Sequence, residues 1–220
     1  MPRYVLLAFA LLLSACGATP GSSTTTTPTT PPPSTNSPLT RLSGQIVNWP
    51  GGSATLAMIR PRQTFARTTV SADGRFTLDL PDAQTIAPDL VPFSPPADMT
   101  CSNAVFISDP ALRVSIWPGF SVDRDGTHLG AAGRGYGLTR FDEAKPGDYL
   151  VRWYFASLDA RITGTLKCAS FKATYDLPLK AGWNVVRQEY TTNYVQGQYY
   201  EERWSLGGDE NGLWGFQAAK

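Results

Sequence analysis

The sequence predicts an all-β protein, an antiparallel sandwich or meander, on three observations. Glycine and proline punctuate residues 41–220 roughly every ten residues, the spacing of short strands and turns. The intervening runs are rich in aromatic and β-branched residues. No run shows convincing amphipathic helical spacing, whereas several alternate with period two.

The elements follow in order. Gly44-Gln45-Ile46-Val47 opens a first strand, Gly51-Gly52 is a turn, and residues 55–60 form a second strand. Residues 68–71 form a third, and Ala72-Asp73-Gly74 turns the chain, Asp-Gly being a strong hairpin signal. In residues 75–80 Phe76, Leu78 and Leu80 alternate with Arg75, Thr77 and Asp79, as in a strand with one buried face. Ser43-Gly44-Gln45-Ile46 and Ala72-Asp73-Gly74-Arg75-Phe76 resemble the start and the closing hairpin of a carboxypeptidase regulatory-like (transthyretin-like) β-sandwich. That resemblance covers residues 42–80 and implies a structural or recognition module without catalytic residues.

Prolines 81, 88, 92, 95 and 96 make residues 81–100 a long ordered loop or linker, because proline fixes φ and removes a donor. Short strands follow at 104–107 and 114–117, and residues 120–140, rich in glycine, read as a loop. Strands are expected at 149–155, 161–168, 171–179 and 183–187. One or two more lie within 190–204, and a last one at 213–216. In 161–168 Ile162, Leu166 and Cys168 share a face opposite Arg161, Thr163 and Lys167. Pairing of sequential neighbours gives a meander as the simplest topology. The body is divided into an N-terminal sandwich-like unit with its Pro-rich linker, 41–98, and a C-terminal antiparallel unit, 99–220.

Ahead of this body, Arg3 precedes an apolar run over residues 4–13, too short to span a bilayer as a helix, which needs about 20 residues. It ends at Leu13-Ser14-Ala15-Cys16. These four residues resemble the lipobox of a bacterial lipoprotein. The resemblance implies a signal peptide over 1–15, cleavage before Cys16, a diacylglyceryl thioether on its sulfur and a further acyl chain, such as palmitate, on the new amino group. Gly17, where an aspartate often signals inner-membrane retention, favours the outer membrane or the outer leaflet of the cell membrane, facing away from the cytoplasm. Residues 16–40 combine the lipidated cysteine with a disordered linker of Thr, Pro and Ser, including Thr24-Thr25-Thr26-Thr27 and Pro31-Pro32-Pro33, too poor in apolar groups to fold. Fully extended, such a stalk reaches on the order of 70 Å.

Composition narrows the partners. Removing Arg3 with the signal takes the 19 basic residues to 18, against 18 acidic ones, so the mature chain is near neutral. That argues against a nucleic-acid partner and against a polybasic membrane surface, and leaves the lipid as the membrane attachment. With Cys16 assigned to lipid, Cys101 and Cys168 remain, an even remainder that favours a disulfide in an exported protein over two buried thiols. Neither has a metal-ligand partner at the usual spacing.

No catalytic residue, metal ligand or cofactor is assigned. His128, the single histidine, reads as an exposed loop residue. Neither a Gly-x-Ser-x-Gly elbow nor a His-Glu-x-x-His motif is present. Asp123-Arg124-Asp125-Gly126 echoes the opening of a calcium loop, but the glycine falls too early and no glutamate closes it. Asp209-Glu210-Asn211-Gly212 reads as a hairpin turn. Asp142, Glu143, Glu189, Glu201 and Glu202 could supply a hydrolase's carboxylate pair only if the fold brings two together. The aromatics are the better candidates for binding. Tyr190, Tyr194, Tyr199, Tyr200 and Trp204 crowd a short stretch, each with an apolar face and a polar tip suited to protein or sugar contact. Such residues also pack ordinary strands, so exposure decides. Strand alternation puts Tyr200 and Trp204 on one face and Tyr199 on the other. The expected function is therefore a non-enzymatic envelope module, structural or binding a protein or glycan through Tyr190, Tyr194, Tyr200 and Trp204. The alternatives are a cell-wall or glycan hydrolase using acidic residues and a calcium-stabilised adhesin-like domain.

Overall fold

The computed structural model describes residues 39–61, 63–95, 101–137, 143–207 and 212–219. The signal, Cys16, the stalk up to residue 38, Asp142 and the turn at 209–211 lie outside the described residues. The body from Ser37 onward is one compact unit and is all β.

Four strands lie in the first segment: β1 (Arg41–Gln45), β2 (Ala54–Arg60), β3 (Gln63–Val70) and β4 (Arg75–Asp79). A one-turn helix, α1 (Ala83–Ile86), follows, its first turn capped by the Asp82 carboxylate accepting from Thr85 N. A 3-10 turn (Ala87–Asp89) and β5 (Val91–Pro92) complete the segment. Next come β6 (Ser102–Ile107), β7 (Arg113–Trp117), β8 (Phe120–Arg124), β9 (Thr127–Tyr136) and β10 (Glu143–Ala144). Then come β11 (Tyr149–Ala156), β12 (Ala160–Lys167), β13 (Phe171–Leu179) and β14 (Gly182–Tyr190). The last are β15 (Tyr194–Val195), β16 (Tyr200–Leu206) and β17 (Leu213–Ala218).

Thirteen strands join in one mixed sheet, whose main path runs β3-β2-β8-β9-β11-β14-β16-β13-β12-β6. Hairpins join β2 to β3, β8 to β9 and β12 to β13, as a meander would. Most other pairings are not sequential, among them β6–β12, β7–β11, β11–β14 and β9–β17. The β2–β8 ladder ties the first segment into the main sheet, and β16 inserts between β14 and β13, running parallel to β13.

The β1–β4 ribbon covers one face, with Leu42, Phe76 and Leu78 buried as the alternation requires. Strands β11 and β14 are buried on both sides. Tyr149, Val151, Trp153, Phe155 and Trp183 face a first core with the ribbon. Tyr154, Ala156 and Val186 face a second core, formed with Ile162, Leu166, Ala173, Tyr175 and Leu177. A polar joint holds the segments together. Arg60 donates to the Asp89 carboxylate and to the Ile116 carbonyl, and its guanidinium lies 4.2 Å from the Trp117 ring centroid. Ser115 Oγ donates to Asp89 and accepts from Trp117 Nε1.

Residues 120–136 overturn one expectation. They are the β8–β9 hairpin rather than a loop, and Asp125 (φ 49°) with Gly126 (φ 79°) forms its two-residue turn. The calcium-like tetrad is therefore the end of a strand and a tight turn. Gly130 is required in β9 because β17 lies close against it: a Cβ there would sit 2.0 Å from the Gln217 carbonyl oxygen. The outer edge of β17 is closed by Val47 N, which donates to the Trp214 carbonyl, and by the Asn48 side chain, which accepts from Phe216 N and donates to Phe216 O. Cys101 and Cys168 form a disulfide, with Cα atoms 4.1 Å apart.

Candidate functional site

The parallel β13–β16 pair sets the site's geometry. Its register places Phe171 opposite Tyr200, Ala173 opposite Glu202 and Tyr175 opposite Trp204, all on one face. Phe171 and Tyr200 stack with centroids 5.8 Å apart, and Tyr175 and Trp204 stack at 5.9 Å. Two aromatic pairs therefore flank Ala173 and Glu202, and Ala173 leaves the space that the carboxylate occupies.

Antiparallel β14 adds Gln188 and Tyr190 to the same face, and β11 adds Arg152 and Tyr154. Tyr190, Tyr194 and Tyr200 form a triangle of rings with centroids 4.9–6.0 Å apart. The inner end of this face is closed: Tyr154 and Tyr175 are buried, and Tyr175 meets Phe93 edge-on. At the outer end Tyr190 is buried, while Tyr194, Tyr200 and Phe171 are half-exposed.

Glu202 is only 4 % exposed. Gln188 Nε2 donates to its Oε2 and Trp204 Nε1 to its Oε1, each at 2.7 Å. Gln188 Oε1 in turn accepts from Arg152 Nε at 2.9 Å, and Arg152 Nη1 donates to the Pro118 carbonyl. The hydrogen bonds run one way, from guanidinium to amide to carboxylate. The last group must accept from both sides, which fits an ionised glutamate. Burial nevertheless pushes the Glu202 carboxyl above its ordinary range, outweighing the hydrogen bonds from Gln188 and Trp204 and the Arg152 charge, which pull it down. Burial also raises the neighbouring phenols, Tyr190 to about 12, and the Glu202 charge adds to the rise at Tyr175, Tyr190 and Tyr200. They stay protonated at physiological pH.

The raised carboxyl has a consequence of definite sign. The folded state holds the Glu202 proton more tightly than the unfolded state, so this group favours folding most below the ordinary glutamate value near 4.5. Its contribution falls as pH rises from there through the folded-state value. Glu202→Gln removes that dependence. Urea unfolding across the acid range is expected to show the wild type gaining stability relative to the Gln variant as pH is lowered through this window. A difference independent of pH would contradict the burial of a titrating carboxyl.

The aromatic stretch is thus divided. Tyr200 and Trp204 share the inner face, whereas Tyr199, 45 % exposed, lies on the other side beside Glu201, its hydroxyl 3.4 Å from Oε1. Arg152, Gln188, Glu202, Tyr154 and Tyr175 join the site from four different strands. The one linear signal for them is Arg152, a lone charge inside the otherwise apolar 149–156 run.

Other candidates are not brought together. Glu189, Glu201 and Asp176 project from the opposite face, where they meet Arg187 and Arg203, Lys172 and Arg161. Glu202 therefore gains no second carboxylate from these strands, and Glu143 is exposed on β10. His128, expected in a loop, is the second residue of β9. Its Nδ1 lies 3.1 Å from Ser121 Oγ and 3.0 Å from Asp123 Oδ1, while Ser121 Oγ donates to Asp123 Oδ2. A nucleophilic triad uses one ring nitrogen for serine and the other for the carboxylate; here one nitrogen faces both, so the serine has no separate base. Among the described residues no group of three His, Cys, Asp or Glu side chains is placed to hold a metal ion. Comparison with protein-family models, curated proteins and solved structures finds no match for this chain.

Proposed function

We propose that this is a lipid-anchored, non-enzymatic module of the cell envelope that binds a protein or glycan partner through the open end of the tyrosine face. The observation that carries the reading is the Tyr194–Tyr200 pair, half-exposed and edge-to-face at 4.9 Å beside a buried carboxylate, Glu202, whose two oxygens both accept hydrogen bonds. Exposed aromatics held by a rigid base lose little freedom on binding and dominate the contacts they make. Cys16 supplies the anchor in this reading, and residues 17–40 the tether. A glycan hydrolase is the alternative, and the raised Glu202 carboxyl favours it. That enzyme needs a second carboxylate at about 5–10 Å, and Glu189, Glu201 and Asp176 all face away.

Two measurements test the proposal. Cells expressing the full chain are labelled with a palmitate analogue; the wild type is expected to incorporate it and Cys16→Ala to remain unlabelled. An unlabelled wild type would remove the lipoprotein reading. The detergent-solubilised chain is then used to capture partners from envelope fractions. Tyr194→Ala with Tyr200→Ala is expected to abolish capture while leaving the melting temperature nearly unchanged. Capture that survives both substitutions would remove the binding-face reading.

A further inference from the structure

Which class of partner suits this face follows from charge and from hydrogen-bonding capacity. The two ionised groups beneath it, Arg152 and Glu202, are joined through Gln188 and offset one another. A charged ligand arriving above them would be desolvated without gaining a counter-ion of its own, and burying an uncompensated charge is costly. The face therefore selects against strongly acidic or basic ligands.

What remains available is neutral and of two kinds. One is aromatic surface: Phe171 stacked on Tyr200, with Tyr194 edge-on. The other is phenol hydroxyls. Among the described residues, nothing hydrogen-bonds the hydroxyls of Tyr190, Tyr194 or Tyr200. Each can donate one hydrogen bond and accept others. A pyranose matches both features, with an apolar C–H face to lie on a ring and a rim of hydroxyls that donate and accept. A proline-rich peptide would match the rings, but its backbone carbonyls mainly accept, leaving the accepting capacity of three phenols unused.

Resting on the binding-face reading above, we infer that the ligand is a neutral glycan, seated on Tyr194 and Tyr200 with its hydroxyls bonded to the phenols of Tyr190 and Tyr200. Glu202, Gln188 and Arg152 act as positioning residues that hold these rings from below.

The test uses the full chain in detergent with four probes: oligosaccharides of N-acetylglucosamine, of glucose and of mannose, and a proline-rich decapeptide. Binding is read by intrinsic fluorescence and by ligand-observed saturation-transfer NMR. At least one neutral oligosaccharide is expected to bind. Tyr194→Ala should weaken it roughly tenfold or more, and Tyr199→Ala, on the other side of the sheet, should leave it unchanged. Tyr200→Phe keeps the ring and removes the hydroxyl, so it should weaken glycan binding several-fold without lowering the melting temperature. Three results would overturn the inference: no oligosaccharide binding at millimolar concentration, binding of the peptide alone, or glycan binding indifferent to Tyr194→Ala. With the first two, continued capture of an envelope protein that requires Tyr194 would keep the binding-face reading while removing the glycan.

Discussion

Trp153→Ala is expected to destabilise the protein by about 3–5 kcal/mol, the range for truncating a large buried aromatic. Trp153 is 1 % exposed and lies at the centre of the first core. Its ring stacks on Trp214 with centroids 5.2 Å apart and planes 8° from parallel, and Phe120 approaches both, at 4.8 and 5.8 Å. Phe76 closes the cluster edge-on against Trp214 at 4.8 Å. These rings come from β4, β8, β11 and β17, so the cavity would open where four strands meet and none can collapse into it alone. Gly44 confirms how tightly the cluster is packed: a Cβ there would sit 2.3 Å from the Trp214 ring. Urea unfolding followed by tryptophan fluorescence measures the loss. A loss below about 1 kcal/mol would mean that the cluster is not a packed core.

Removing the Cys101–Cys168 bridge is the second large effect. The cysteines are 67 residues apart in sequence, and in the chain-entropy model closing such a loop stabilises by roughly 4 kcal/mol. For a body of this size that corresponds to a fall in melting temperature on the order of 10 °C. The loss should be local at first. Strand β6 is an edge strand held by β12 alone among the described strands, and the disulfide joins the residue before β6 to the one after β12. Freeing that end lets β6 fray from Ser102 and uncovers the β12 edge beneath it, and such edges promote association. Non-reducing mass spectrometry should find both thiols blocked. Reduction or Cys168→Ala should lower the melting temperature and raise hydrogen exchange in β6 before other strands. Unchanged melting after complete reduction would contradict this.

Where a single strand carries its own pattern, the sequence was sufficient. Alternation identified β4 and the buried face of β12, and the Asp73-Gly74 turn was readable directly. Residues 127–136 were not recognised partly because Gly130 answers to a neighbour far along the chain: it makes room for β17, a pressure invisible in a local window. The parallel β13–β16 pairing was hidden for a similar reason, since it skips the intervening β14. The site followed the same division. Tyr190, Tyr194, Tyr200 and Trp204 stood out by proximity. Glu202 was one acid among 18 until pairing put it beneath their rings and sent Glu201 the other way. Gln188 and Tyr154 carried no linear signal.

The clasp of Asn48 on Phe216 also bears on the order of events during synthesis. Its two partners are 168 residues apart, near opposite ends of the folded body. A chain emerging from its N-terminus presents β1 long before β17 exists, so until then Phe76 lacks the Trp214 ring that meets it edge-on and Ile46 lacks its backbone bridge to Trp214. Contacts this distant make folding slow and leave apolar surface exposed in the meantime. Completion of the first core is thus tied to the arrival of β17, 168 residues after the asparagine that clasps it.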